Sequence, residues 1–237
     1  MKIKILSWNI WKGQHLEKVI NLLEKTKADV LGLQEIKVQG NENLAEIIAK
    51  RLGYEFIYCK AYTTDRHVPT YDLGNAILSK FPIQNHQCIL LSGIEHYKKE
   101  EGSKTEPRGA AIAEINIGGR IIKFISTHLA FSIECKPVEI RDIQLDNLLK
   151  VIDDKNSVLM GDFNSVPESD VVAKLSKRIK NTDPKMKKLS WVNYRESEKR
   201  KYRIDYIFTT PDLKTEHFQI LETDASDHYP LTLDLEA

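Results

Sequence analysis

The stretch Ser157-Val158-Leu159-Met160 is apolar and strand-like, and it stops abruptly at Gly161-Asp162-Phe163-Asn164. A strand that delivers a carboxylate and an amide at its end points to a site built from loops, because a hydrophobic core has no use for that pair. Taken alone, the stretch is equally a turn in which Asp162 and Asn164 cap a following helix. The same event recurs along the chain. Lys2 to Ile10 alternates Ile3 and Ile5 with Lys2 and Lys4 before ending in Ser7-Trp8-Asn9, and the apolar run Asp29-Val30-Leu31-Gly32-Leu33 ends in Gln34-Glu35.

Between these runs the period changes. Leu16, Val19, Ile20 and Leu23 lie at helical spacing, predicting an amphipathic helix over 15–28, and Leu44, Ile47, Ile48 and Leu52 predict a second over 43–52. Strands are expected near 54–59, 74–79 and 87–91, with a polar, aromatic loop over 62–72 and an exposed charged loop over 93–107. Gly118-Gly119 joins two further strands, 108–116 and 120–127, as a hairpin whose second arm delivers Ser126-Thr127-His128. Helices are expected at 138–152 and 168–177. Strands follow at 202–209, 216–221 and 229–235, the last preceded by Ser226-Asp227-His228. Roughly ten to twelve strands overfill one open sheet, so two packed sheets with helices outside are expected. No linker or repeat divides the chain, and a single domain over residues 1–237 is the simplest organisation.

Composition bounds the partners. Hydrophobic residues at 41% and charged residues at 29% describe a soluble globular chain, and a net charge of +1 advertises no global field for a polyanion. Cys59, Cys88 and Cys135 are far apart and odd in number, so reduced structural cysteines are expected, with neither a disulfide framework nor a zinc site. The opening Met1-Lys2-Ile3-Lys4 leaves no room for a signal peptide and no apolar run reaches membrane length, so a cytoplasmic protein without a membrane anchor is expected.

Asn9, Glu35, His128, Asp162, Asn164, Asp205, Asp227 and His228 all interrupt apolar runs at strand ends. Each has a bland explanation: Asp205 pairing with Arg203, His128 as a satisfied core histidine, Glu35 capping a helix or pairing with Lys37. Together they are harder to dismiss. Converging carboxylates repel one another unless a cation joins them, and oxygen ligands without cysteine favour Mg²⁺ or Mn²⁺ over zinc. Such ions keep waters and bind phosphate, which points to phosphoryl chemistry.

The ordered set Trp8-Asn9, Gln34-Glu35, Gly74-Asn75-Ala76-Ile77-Leu78-Ser79, Ser126-Thr127-His128-Leu129, Gly161-Asp162-Phe163-Asn164, Arg203-Ile204-Asp205-Tyr206 and Ser226-Asp227-His228 resembles the endonuclease/exonuclease/phosphatase superfamily, from Trp8 to Pro230. The resemblance implies an α/β fold: a four-layered α-β-β-α sandwich of two packed mixed sheets flanked by helices, with the site at one edge between them. It implies Glu35 as the principal Mg²⁺ ligand, supported by Asn9 and Asp227. Asp162 would orient or deprotonate the attacking water, and Asn164 would hold it or a phosphate oxygen. His228, paired with Asp205, would meet the phosphoryl group as base or as charge stabiliser, and His128 would donate to a non-bridging oxygen. Asn75 is expected in substrate binding, and Arg108 either contacts phosphate or pairs with Glu106.

The superfamily spans nucleic acids, lipids and soluble phosphates, so the fold names no substrate. Lys98-Lys99, Lys185-Met186-Lys187-Lys188 and Lys199-Arg200-Lys201 are candidate backbone grips or simply solvated loops, and Trp11, Tyr62, Tyr71 and Trp191 are candidate stacking faces. A nucleic-acid phosphodiesterase is expected first, acting as a monomer without an obligate protein partner. A sphingomyelinase-like or inositol-phosphate-type phosphoesterase comes second and a non-catalytic binding protein third. His128 resembles the deoxyribonuclease, tyrosyl-DNA phosphodiesterase and sphingomyelinase branches more than exonuclease III-like repair enzymes.

Overall fold

The computed structural model describes residues 1–64, 68–192 and 201–237. In chain order the elements are β1 (Lys2–Asn9), α1 (Leu16–Thr26), β2 (Val30–Gln39), β3 (Glu42–Asn43), α2 (Leu44–Leu52), β4 (Glu55–Thr63), β5 (Asp72–Ser79) and β6 (Ile83–Ser92). There follow β7 (Arg108–Ile117), β8 (Arg120–His128), α3 (Glu139–Leu149), β9 (Ser157–Asp162), α4 (Asp170–Arg178) and β10 (Lys180–Asn181). The last are β11 (Trp191–Val192), β12 (Lys201–Tyr202), β13 (Asp205–Thr209), β14 (Lys214–Ile220) and β15 (Leu231–Glu236). Part of the expected loop, 65–67, and Lys199-Arg200 of the third basic run lie outside the described residues.

Two mixed sheets face each other. The first has the order β14-β15-β1-β2-β5-β4 with β3 beside β2, and the second the order β10-β13-β9-β8-β7-β6. Pairing is parallel between β1 and β2 and between β8 and β9; the other pairs are antiparallel. The layers follow from the two-residue period of a strand. In β1, Ile3 and Ile5 enter the core between the sheets, while Leu6 and Trp8 pack outward with Val19, Ile20 and Leu23 of α1 and Ile48 of α2. In β9, Val158 and Met160 face inward, while Leu159 packs with Leu145 and Leu148 of α3 and Val172 and Leu175 of α4. The result is the expected α-β-β-α sandwich. Local signals fix the helix ends: Asn43 accepts from Ala45 N (2.9 Å) at the start of α2, left-handed Gly53 closes it, and Ser169 caps α4.

The cysteines overturn the sequence expectation. Cys59 of β4 and Cys88 of β6 form a disulfide with Cα atoms 5.3 Å apart, leaving Cys135 as a buried free thiol. Their spacing in sequence carries no signal, because the pair is made by two strands at the rims of different sheets. No helix among the described residues is long and apolar enough to cross a membrane.

Candidate functional site

Strand register assembles one side of the site. His128 at the end of β8 is level with Asp162 at the end of β9, and Asp162 is level with Asp205 at the start of β13. Residues level in neighbouring strands share a face, so an imidazole and two carboxylates form a row across the second sheet. Gly161 makes the row possible: a Cβ there would lie 2.0 Å from the Thr127 carbonyl oxygen.

The first sheet supplies the facing groups. Asn9 ends β1 level with Gln34 of β2. Beside it the register of β2 against β5 slips between Leu33 and Ile36, and Glu35 takes a left-handed φ of 55°. This bulge turns Glu35 into the cleft instead of along the pleat. Asp227 and His228 lie just before β15. Trp8 Nε1 donates to the His228 carbonyl (2.9 Å), and Ser226 Oγ donates to the Asn9 carbonyl (2.8 Å), tying this segment to β1.

The polar groups form a connected network. His228 Nδ1 lies 3.0 Å from Asp205 Oδ2, and Nε2 lies 3.6 Å from Asp162 Oδ2. Burial opposes a charge on His228, but Asp205 and Asp162 outweigh it and lift its pKa to about 10, so the ring is an imidazolium held between two carboxylates. Ser190 Oγ donates to Asp205 Oδ2 (2.6 Å) and accepts from Asp205 N (3.1 Å), holding that carboxylate in place. Asp162 accepts from Asn9 Nδ2 (3.1 Å) and Asn164 N (2.9 Å), yet burial and then Asp205 push its pKa up to about 7. His128 is held neutral, with its pKa well below the usual value, by burial and by the nearby Arg108. Its Nε2 lies 3.0 Å from Asn164 Nδ2, which also donates to the Leu129 carbonyl (3.0 Å), so Nε2 serves here as an acceptor.

Glu35 behaves differently. Burial would raise its pKa, but Lys12 above all, with the charged His228 behind it, brings it to about 2. Lys12 Nζ is 2.9 Å from Glu35 Oε2. Asp227 Oδ2 accepts from Trp191 Nε1 (3.3 Å), and burial raises the pKa of Asp227. Asn9 turns its amide nitrogen to Glu35 Oε1 (3.4 Å) and to Asp162, its oxygen being taken by Trp11 N (3.0 Å), so it faces the carboxylates as a donor.

These side chains open on a cleft of about 750 Å³ whose wall includes Asn75, Arg108 and the aromatic rings of Trp11, Tyr62, Tyr71, Phe131, Trp191 and Tyr202. Arg108 lies 3.5 Å from Glu106 Oε2, the pairing alternative read from the sequence, and also borders the cleft. Asn75 Nδ2 donates to the Gly109 carbonyl (2.8 Å), bracing β7 against β5. Neither Lys98-Lys99 nor Lys185, Lys187 and Lys188 line the cleft.

A family model described as the Endonuclease/Exonuclease/phosphatase family matches residues 6–228. The chain belongs to that family. Family members are metal-dependent, phosphoester-hydrolysing enzymes. Solved structures agree with this fold. An endonuclease/exonuclease/phosphatase from Beutenbergia cavernae superposes with a TM-score of 0.82 at 19% identity, over 99% of this chain and 71% of that one. A family protein from Leptotrichia buccalis gives 0.77 at 22%, over 99% and 100%. ANGEL2, a 2',3'-cyclic phosphatase, in complex with adenosine-2',3'-vanadate gives 0.75 at 17%, over 99% and 95%. Comparison with curated proteins found no match.

Among the described residues of this Endonuclease/Exonuclease/phosphatase chain, two groups could hold the family's metal. Asp162, Asp205 and His228 offer ligand atoms within 4.8 Å of one another. In that trio His228 already sets a positive charge between the two carboxylates, with Nδ1 3.0 Å from Asp205 Oδ2. Glu35 with Asp227 fits a hard divalent ion better: it is an oxygen pair that feels its own mutual repulsion. Lys12 and Ser190 escaped the sequence reading. Lys12 follows Asn9 by three residues in a segment with no periodicity, and Ser190 precedes Trp191 in a lysine-rich stretch that reads as loop.

Proposed function

We propose that this chain is an Mg²⁺-dependent phosphodiesterase, with Mn²⁺ as a substitute, that cleaves nucleic acid by in-line attack of water. One observation carries the reading: Asp162 lies 3.6 Å from Nε2 of the Asp205-paired His228, and Asn9 Nδ2 bridges it to Glu35 (3.1 and 3.4 Å), in surroundings that raise the Asp162 pKa to about 7. A base poised near neutral pH, next to a fixed positive charge, suits an attack that needs a proton removed and equatorial oxygens neutralised.

Glu35 and Asp227 would hold the metal, which when bound polarises a phosphoryl oxygen and neutralises developing charge. Asp162, oriented by Asn9 and Asn164, takes the proton of the attacking water as its oxygen bonds to phosphorus and the ester bond opposite breaks. His228 keeps its proton and meets a non-bridging oxygen; Asp205 and Ser190 hold its ring. His128 reaches the phosphate as a donor in the tautomer that carries its proton on Nε2, once Asn164 has turned to the water. Arg108 and Asn75 border the position of the phosphate.

The aromatic wall supports a nucleic-acid substrate, since stacking accepts any base, and the fold neighbour solved with an adenosine vanadate is described as a 2',3'-cyclic phosphatase. A lipid or small-molecule phosphoester is the second reading, favoured by a mostly apolar hollow of about 390 Å³ that includes Leu90 and Ile94 and shares Ala61 and Tyr62 with the main cleft. We further take residues 1–237 to act as one catalytic domain, a monomer without an obligate partner. Cytoplasmic residence would keep Cys59 and Cys88 as thiols, so the disulfide fits an oxidising compartment better. Purified protein incubated with single-stranded DNA, RNA, sphingomyelin and inositol phosphates, each with Mg²⁺ and with chelator, tests the reading. Metal-dependent cleavage of an oligonucleotide is expected. Turnover of sphingomyelin alone would move the assignment to the second reading, and inertness on every ester would remove catalysis.

A further inference from the structure

Lys12 is brought to the cleft at a conformational cost. After β1, Ile10 N donates to the Gln34 carbonyl (3.2 Å), and then Trp11, Lys12 and Gly13 all take left-handed backbone, with φ of 50°, 56° and 67°. Left-handed residues other than glycine cost on the order of 1–2 kcal/mol each. The surroundings impose the turn. Asn9 Oδ1 accepts from Trp11 N (3.0 Å), Gly13 N donates to the Ile10 carbonyl (2.9 Å), and Gln14 N donates to the Trp11 carbonyl (3.0 Å). A Cβ on Gly13 would lie 2.8 Å from Leu44 Cδ1, so the turn is pinned against α2 as well.

The outcome is specific. Lys12 Nζ stands 2.9 Å from Oε2 of Glu35, which is itself left-handed at 55°. Two strained residues, one in the turn after β1 and one in β2, therefore meet tip to tip. A partly exposed ion pair contributes only about 0–1 kcal/mol, less than the strain on its two ends, so folding alone gives no reason for the contact. The charge of Lys12 also reaches Asp227. A single ammonium thus serves the two carboxylates assigned above to the metal. Lysine suits such a role, being a compact charge on a flexible stem that swings away without unfolding its turn.

We propose that Lys12 is a tethered counter-cation of the metal site, its ammonium and a divalent ion occupying the place at Glu35 Oε2 in turn. This rests on the assignment of Glu35 and Asp227 to the metal. Lys12 holds the two carboxylates together while no metal is bound, and its displacement is part of the work of metal binding. It is a positioning residue that sets how tightly the ion is held.

Titration with Mn²⁺, followed by the electron paramagnetic resonance of the free ion, tests this on the full chain for wild type, Lys12→Met, Lys12→Arg and Glu35→Gln, with circular dichroism as the check on folding. Lys12→Met keeps the stem without the charge, and it should bind Mn²⁺ about two- to fivefold more tightly, the scale of one screened ion pair. Lys12→Arg should stay near wild type. In chelator, Lys12→Met should melt below wild type, with the gap closing at saturating Mn²⁺. Unchanged or weaker binding by folded Lys12→Met would overturn the exchange while leaving the metal assignment in place. Equal binding by Glu35→Gln and wild type, or none by any protein, would overturn the assignment itself and the exchange with it.

Discussion

A carboxyl group buried beside a second carboxylate resists ionising, whereas an imidazole between two carboxylates resists losing its proton; Asp162 and His228 are the two halves of that situation. Its consequence for stability has a definite sign. The folded pKa of His228, about 10, lies above its ordinary 6.5, so its contribution is fully present below pH 6.5 and is lost as pH rises towards 10. Denaturant unfolding of the chelated protein at several pH values across that window should show stability falling with pH. His228→Gln should lack that component of the slope. Equal slopes in the two proteins would mean that His228 is not charged in the folded site.

At the scale of single elements, β9 and β2 do most to build the site, and they were unequally legible. The central strand β9 announced itself through Ser157-Val158-Leu159-Met160, and Gly161 proves to be the one residue type that lets β8 approach there. Gly161→Ala should therefore push the two strands apart, at a cost of about 3 kcal/mol or more, seen as a large drop in melting temperature. A melting temperature matching wild type would show that the contact yields easily. In β2 the apolar run read from sequence ended at Leu33, but the strand continues to Gln39, because a bulge at Glu35 breaks the alternation while hydrogen bonding resumes beyond it. Periodicity made the strands visible and strain hid the turn at Lys12, where left-handed backbone leaves no pattern in residue type. Ser190 was hidden for another reason: only the fold brings it against Asp205.

Across the whole molecule, the site lies where the ends of both sheets come together, so anything that shifts one sheet against the other disturbs it. The Cys59–Cys88 bond joins β4 and β6, at the rims of the two sheets, and closes a separation of 29 residues. Loop-closure entropy assigns such a cross-link about 3–4 kcal/mol. Cys59→Ser, or reduction of the wild type, should lower the melting temperature, and a thiol assay on unfolded, unreduced protein should find Cys135 alone. Three titrating thiols would refute the bond and restore the reducing interior expected from sequence.

The central claim is that Asp162, facing Glu35 and Asp227, is the base of a metal-dependent phosphodiester hydrolysis. It is tested most directly by the rate of oligonucleotide cleavage in saturating Mg²⁺ from acid to alkaline pH, for wild type and Asp162→Asn. Because the pKa of Asp162 is raised to about 7, the base is protonated and idle below neutrality, so the wild-type kcat/KM should climb with pH and level off above pH 7. Asp162→Asn should be about 10²- to 10⁴-fold slower on the plateau, with that climb absent. A variant as fast as wild type, with the same pH profile, would contradict the claim.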